Sequence, residues 1–270
     1  MRLTVSHRTH YTFAEPIRGV VQSHRLFPAD CENQRVLNWA VTVEDAETGA
    51  GFRDGAGDWI QTVTLRRAVA GVTILVEGLV ETQDLNGVLT GHAEKVHPSV
   101  YLRDTRATMP SKAIRRMAEG VAEAEKSPLD LAHGLSREVS KMIEYRPGET
   151  DASTSATEAL ELGYGVCQDH AHVLIAAAIS VGIPARYVAG YLYSEAGDEM
   201  AEASHAWAEL YLKGLGWVGF DAANECCPDA RYIRLGSGFD ALDAAPIRGV
   251  AHGETTEHLD VEVSVGQVQQ

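Results

Sequence analysis

The sequence predicts an α+β protein: an N-terminal antiparallel β-sandwich-like domain (residues 1–105), then a domain (residues 106–270) in which a cysteine-bearing helix packs on an antiparallel sheet carrying a histidine and an aspartate. Three observations predict it. Short alternating apolar runs fill the first part, the apolar period becomes helical after Pro110, and strand-like runs return only after a strongly apolar helix.

The runs 35–43, 59–65 and 72–76 alternate apolar and polar residues between Gly- and Asp-rich turns, which is the pattern of a small antiparallel β-domain. From Ser111 to about residue 125 the period is helical. Ser127 as N-cap with Pro128 at the first helical position opens a second helix, whose core stripe reads Ala132, Leu135, Val139 and Met142. Ser155 and Glu158 form a capping box for a short helix that ends at Gly163 and aims the chain into the turn before Cys167. Residues 167–181 read as a buried helix, with Ala171, Leu174, Ile175, Ala178 and Ile179 at helical spacing, Gly182 at its left-handed end and Pro184 beyond. Strands then follow at 185–193, 205–212 and 217–221, joined by a polar, acidic loop at 194–204 and a turn at 213–216. Residues 259–265 alternate strictly and read as a final edge strand. No repeat, linker or low-complexity segment intervenes, so the two parts are expected to pack closely.

The chemistry centres on Cys167, in the run Gly163-Tyr-Gly-Val-Cys-Gln-Asp-His170. In the first turn of a helix the unpaired amide N–H groups and the positive dipole end favour a thiolate over a thiol. On the strand 205–212, His205, Trp207, Glu209 and Tyr211 share one face, and Ala206, Ala208, Leu210 and Leu212 the other. The midpoint of His205 and Asp221 is residue 213, at the edge of the turn, so a hairpin brings the two level on adjacent strands. The imidazole then takes the thiol proton, the carboxylate orients the imidazole, and the thiolate attacks an acyl carbon. The Cys167 amide is a natural oxyanion donor, with Gln168 and Tyr145 as further candidates. Tyr164, Gly165, Asp169, Trp207 and Trp217 are candidates for the substrate cleft.

Each of these residues also has a bland reading. A buried Cys is usually inert packing, a lone His a hydrogen-bonded core residue, and a strand-end Asp a turn residue; the joint pattern outweighs them. His170 and His172 stand two apart, about 200° around a helix, and cannot share one ion. They read as packing residues, and no metal or cofactor is expected.

Composition sets the surroundings. Lys and Arg number 23 against 38 Asp and Glu, a net charge of −15 spread along the chain, which disfavours nucleic acid and anionic membranes as partners. Four Cys at irregular spacing, two of them the adjacent Cys226 and Cys227, form neither a disulfide framework nor a Cys-x-x-Cys site. That usage, with no apolar stretch of signal or membrane-span length, leads us to expect a reducing, cytoplasmic location.

Separated motifs in a fixed order then carry a resemblance. Gly165-Val-Cys-Gln-Asp-His-Ala-His172, Gly182-Ile-Pro-Ala-Arg-Tyr-Val188 with Gly190-Tyr191, Ser204-His-Ala-Trp207 and Gly216-Trp-Val-Gly-Phe-Asp221 resemble the transglutaminase-like superfamily, in its bacterial cysteine-protease branch. The likeness extends to Tyr145-Arg-Pro-Gly-Glu-Thr150, Gly238-Phe-Asp-Ala-Leu-Asp243 and Pro246-Ile-Arg-Gly249. It also reaches the N-terminal part through Tyr11-Thr-Phe13, Pro16, Leu26-Phe-Pro28 and Asp54-Gly-Ala-Gly57. The resemblance implies a papain-like core with Cys167, His205 and Asp221 as a catalytic triad. It further implies a peptide or protein substrate, with hydrolysis of peptide, isopeptide or glutamine amides through a thioester, or transfer of the acyl group to an amine. One departure stands out: after the Asp this branch usually reads Pro-Thr-Asn, and here it reads Ala222-Ala-Asn224, which implies a looser strand exit. The alternative is a catalytically silent papain-like peptide-binding module, and the presence of all three triad residues favours the enzyme.

Overall fold

The computed structural model describes residues 1–194, 203–253 and 255–268. The loop expected at 194–204 therefore lies largely outside the described residues. The N-terminal part is organised by β1 (Arg2–His24), which alternates exposed and buried side chains over its first half as period-two patterning requires. That half lies between β5 (Val69–Thr82) and β13 (Glu257–Gln267); the second half lies between β4 (Trp59–Leu65) and β12 (Ile247–His252). The register against β5 slips between Thr12 and Ile17, and Gly19 takes a positive φ of 63°, so β1 changes partners across a bulge. With β2 (Gln34–Val43) beyond β5 and β3 (Glu47–Arg53) beyond β4, the strands fold over a common core that includes Phe13, Ile17, Val20, Leu26, Val63, Leu65, Val72, Ile74 and Val76.

The division at residue 105 does not describe the C-terminus. β12 and β13, expected with the second domain, hydrogen-bond to β1 along most of its length, because their alternating sequences supply the outer strands that β1 lacks. The edge position expected for residues 259–265 is where β13 sits.

In the middle of the chain, α1 (Lys112–Ala124) and α2 (Pro128–Met142) are capped by the Ser111 and Ser127 hydroxyls. The α2 stripe ends on Ile143, which is buried, while Met142 is exposed: the core-facing step after Val139 is four residues and not three. The capping box of Ser155 and Glu158 starts α3 (Ala156–Leu162), and Gly163 ends it at φ 74°. A parallel pair, β6 (Glu144–Tyr145) and β7 (Tyr164–Gly165), leads into α4 (Cys167–Ser180), whose side chains are buried on nearly every side among α1, α2, α3 and the sheet behind it.

That sheet is antiparallel, in the order β10 (Gly216–Phe220), β9 (Ser204–Leu212), β8 (Ala185–Leu192), β11 (Tyr232–Gly238). Ala206, Ala208, Leu210 and Leu212 pack on α4. Farther along the sheet, Tyr191, Ile233 and Leu235 share a core with Leu3, Val5 and Val80 of the N-terminal part. An antiparallel sheet commonly leaves one face in water; here both are covered, and every residue of β8 and β11 is buried.

The face turned away from α4 holds a chain of buried ion pairs. Glu94 meets Arg186 at 2.6 Å, Arg186 meets Glu209 at 2.7 Å, Glu209 meets Arg234 at 2.9 Å, and Arg234 meets Asp58 at 2.7 Å. Burial alone would push Glu209 up, but the Arg234 and Arg186 guanidiniums pull it down to about 2. Gln34 completes the join, its amide donating to the Arg234 carbonyl at 2.8 Å and accepting from the Arg234 amide at 2.9 Å.

Candidate active site

Three elements converge at the end of α4. The approach from β7 is tight: a Cβ on Gly165 would lie 2.6 Å from Asp169, so only glycine fits there. Asp169 Oδ2 accepts from the Val166 amide at 2.8 Å and the Thr150 hydroxyl at 2.7 Å, which closes the turn and leaves Cys167 as the first helical residue. Burial raises the Asp169 carboxyl above its ordinary range. It is fully buried and works as the cap of the Cys167 helix, so the cleft position expected for it is corrected.

His205 comes from the start of β9 and Asp221 from just beyond β10, where backbone hydrogen bonds in both directions with Cys226 close a short loop. The hairpin register is one residue later than the sequence midpoint: Leu212 pairs with Gly216 and Ala208 with Phe220, so Asp221 falls opposite Trp207. His205 and Asp221 are therefore diagonal neighbours on one face, not level ones, and the longer imidazole side chain spans the offset. The contact is close, with His205 Nε2 at 2.6 Å from Asp221 Oδ2. A proton on Nε2 donated to the carboxylate leaves Nδ1 for the thiol.

Cys167, His205 and Asp221 are only 8%, 7% and 1% exposed, so their mutual electrostatics are weakly screened. Burial pulls His205 down, but hydrogen bonds with Asp221 and with Cys167 override it and lift the imidazole from its ordinary 6.5 to about 10. Asp221 is held below the usual carboxylate range: burial pushes it up, and His205, Asn224 and Tyr232 more than offset this. Its Oδ2 also accepts from Asn224 Nδ2 at 2.7 Å and Tyr232 Oη at 2.8 Å, and its Oδ1 from the amides of Ala223 and Asn224 at 3.1 and 3.2 Å.

The remaining expected site residues divide. The Trp207 ring lies beside His205, with centroids 6.4 Å apart and planes 26° apart, and meets Tyr232 edge-on at 5.5 Å. Trp217 does not wall the triad, and that expectation is corrected. It is paired with Tyr211, four strand positions or about 13 Å from Asp221; its ring lies 4.0 Å under Arg186 and its Nε1 donates to Glu94 at 2.6 Å. Tyr164 is half-buried, with the Arg146 guanidinium 5.2 Å over its ring. Tyr145 is held level with Gly165 by the β6–β7 pairing, two residues before Cys167. The Gln168 amide donates to the Asp151 carbonyl at 3.3 Å, which turns it toward the 148–154 loop.

His170 and His172 bind structural groups. The ring nitrogens of His170 lie 2.9 and 3.0 Å from the carbonyls of Val166 and Ile143, and His172 Nε2 accepts from the Ala241 amide at 3.0 Å, with burial lowering His172 to about 4. Among the described residues no cluster of three or more His, Cys, Asp or Glu could hold a metal ion, and no helix is long and apolar enough to cross a membrane. Sequence reasoning missed Asn224 and Tyr232. Asn224 was visible as the retained last residue of the altered Pro-Thr-Asn motif, whereas nothing in the sequence links Tyr232 to Asp221.

The chain is similar to known proteins. Residues 115–222 match the transglutaminase-like superfamily, and residues 3–81 match the bacterial transglutaminase-like N-terminal region. The chain is similar to the uncharacterized protein ML0607 of Mycobacterium leprae, with 28% identity over 98% of both chains. It is also similar to the uncharacterized protein Rv2569c of Mycobacterium tuberculosis, 26% identical over 99% of this chain and 92% of the relative. Among solved structures, a "Putative Cysteine Protease" from Cytophaga hutchinsonii superposes with a TM-score of 0.75 at 20% identity, covering all of this chain and 92% of the other, which is a likeness of fold. With its Cys-bearing helix, its antiparallel sheet and its own N-terminal β-region, the chain belongs to the transglutaminase-like superfamily.

Proposed function

We propose that this protein is a cysteine-dependent acyl transferase acting on amide bonds of a peptide or protein, as a cysteine protease or amidase. Cys167 is the nucleophile, His205 the acid–base group and Asp221 its orienting partner. The observation that carries the reading is the 2.6 Å contact of His205 Nε2 with a buried Asp221, on an imidazole that also interacts with Cys167 at the start of a helix.

An imidazole lifted to about 10 is cationic at neutral pH and can pair with the thiolate of Cys167, the form that attacks. Attack of Cys167 Sγ on the carbonyl carbon forms a C–S bond and places negative charge on the oxygen. There the Cys167 amide, aligned with the dipole of α4, supplies one hydrogen bond. His205 then gives its proton to the departing nitrogen as the C–N bond breaks, leaving a thioester. A water or an amine, deprotonated by the now neutral His205, attacks the thioester and releases Cys167. Water gives hydrolysis; an amine gives transamidation.

The test is to incubate wild-type protein and Cys167→Ala with peptide, isopeptide and glutamine-amide substrates, following released amine or ammonia and looking for an acyl adduct on the Cys167 peptide by mass spectrometry. Turnover and an adduct in the wild type alone support the reading. Equal turnover in both proteins, or none with any amide class, would sink it.

A further inference from the structure

Asp221 Oδ2 is more heavily used than a triad carboxylate needs to be. Besides His205 Nε2 at 2.6 Å it accepts from Tyr232 Oη at 2.8 Å and Asn224 Nδ2 at 2.7 Å. Tyr232 is 5% exposed and reaches the site from β11, an edge strand that pairs with β8 and carries none of the three triad residues. Its ring is fixed edge-on to both Trp207 and His205, at 5.5 and 5.9 Å, so the hydroxyl has little freedom to turn elsewhere. Asn224 is exposed, and its amide lies 3.3 Å from His205 Nε2 as well.

These donors oppose His205. Each hydrogen bond to Oδ2 neutralises part of the charge that holds the imidazolium, and in a dry site that competition is strong. The mechanism needs such a limit: an imidazolium gripped too firmly is a poor acid toward the departing amine. We propose that Tyr232, assisted by Asn224, is a positioning residue of the acyl-transfer centre that shares Asp221 Oδ2 with His205 and so sets how readily His205 releases its proton. The inference rests on the triad reading above. The other titratable groups packed against this point are Cys167 from α4 and Cys226, whose Sγ lies 3.3 Å from Tyr232 Oη. Arg231 stands 5.9 Å over the Tyr232 ring, neutralised by Asp229 at 2.8 Å.

The test needs no substrate. The ring of His205 is titrated by NMR in histidine-labelled protein, its signals assigned by their loss in His205→Ala. With Cys167→Ala as the background the imidazole titrates without the thiol. Adding Tyr232→Phe removes one competing donor while keeping the ring contacts, and the His205 midpoint should rise by about half a pH unit. Asn224→Ala should raise it less, because water replaces an exposed donor. Placing 3-fluorotyrosine at position 232 keeps the shape and strengthens the donor, and should lower the midpoint, which keeps the question answerable if Tyr232→Phe does not fold. A midpoint unchanged by either replacement at 232, or one that falls in Tyr232→Phe, overturns the inference and leaves Tyr232 as packing against Trp207. The triad reading fails separately: it is lost if His205 titrates identically with Cys167 present and absent.

Discussion

Asp221→Asn isolates the charge on the triad carboxylate from its shape. Three donors converge on Oδ2 and two backbone amides on Oδ1, and an amide offers only one acceptor to these five. If its oxygen keeps the backbone amides, the new NH2 faces His205 Nε2, which must become an acceptor; the imidazole proton moves to Nδ1, toward the thiol. If it turns over, the NH2 meets two N–H groups. Either way the imidazolium loses its counter-charge. The span from 6.5 to about 10 on His205 is worth roughly 5 kcal/mol at about 1.36 kcal/mol per pH unit. That is a ceiling for Asp221, since Cys167 contributes to the same shift, so amide turnover should fall by up to about three orders of magnitude. Alkylation of Cys167 should fall less, because an unassisted thiol with a pKa of about 8.5 still has about 0.3% thiolate at pH 6, which limits the loss to about 300-fold. The assay is the iodoacetamide labelling rate at pH 6, read peptide by peptide so that Cys31, Cys226 and Cys227 are counted apart. Asp221→Asn and His205→Ala should converge on the same slow rate. An Asp221→Asn rate within about threefold of wild type would refute the argument that the carboxylate charge sustains the pair.

Glu209→Gln removes the carboxylate shared by Arg186 and Arg234 and leaves two buried guanidiniums facing one another. It should cost about 3–5 kcal/mol, read as a melting temperature lower by about 10 °C, and a loss below about 1 kcal/mol would show that the chain of ion pairs is not held as drawn. The pH dependence of stability should have two limbs of opposite origin. Burial holds His7, His24 and His172 down to about 4, so their contribution is complete above about 6.5, the unfolded value, and is lost as pH falls toward 4. His205 is raised to about 10, so its contribution is complete below about 6.5 and is lost as pH rises toward 10. Thermal melts across pH 4–10 should peak near neutrality, and His205→Ala should flatten the alkaline limb alone; an unchanged alkaline limb contradicts the ion pair. Gly165→Ala should slow Cys167 labelling with modest loss of stability, because the added methyl pushes Asp169 off the Val166 amide; labelling at the wild-type rate would mean that the turn relaxes freely.

Local rules made much of this chain legible. The Ser127–Pro128 start, the Ser155–Glu158 capping box, Gly163 and Gly182 at positive φ, and the bounds of α4 are all decided within a few residues, where propensity and capping act. What the sequence misplaced is non-local. β13 alternates as an edge strand should, but nothing within it names β1, over two hundred residues away, as its partner. Trp217 shares a strand with the approach to Asp221, yet whether it faces substrate or Arg186 depends on Glu94 and Tyr101 arriving from another part of the chain. The hairpin register turned on a single residue of the turn, and side-chain reach absorbed the error because both triad partners kept the same face.

β11 ties these non-local features to the site. Tyr232 and Arg234 stand two apart on one face of that strand; one anchors Asp221 and the other closes the ion-pair chain to Glu209 and Asp58. The backbone at Arg234 is in turn held by Gln34 and by the Ala29 amide, at 2.8 Å from its carbonyl. β11 is paired on one side only, so its position follows from the N-terminal residues that grip it. The link from the N-terminal part to Asp221 therefore runs through two adjacent same-face positions of one strand. Loosening the grip of Gln34 and Asp58 should be felt at the His205–Asp221 pair before it is felt at α4, whose own packing lies on the opposite face of the sheet.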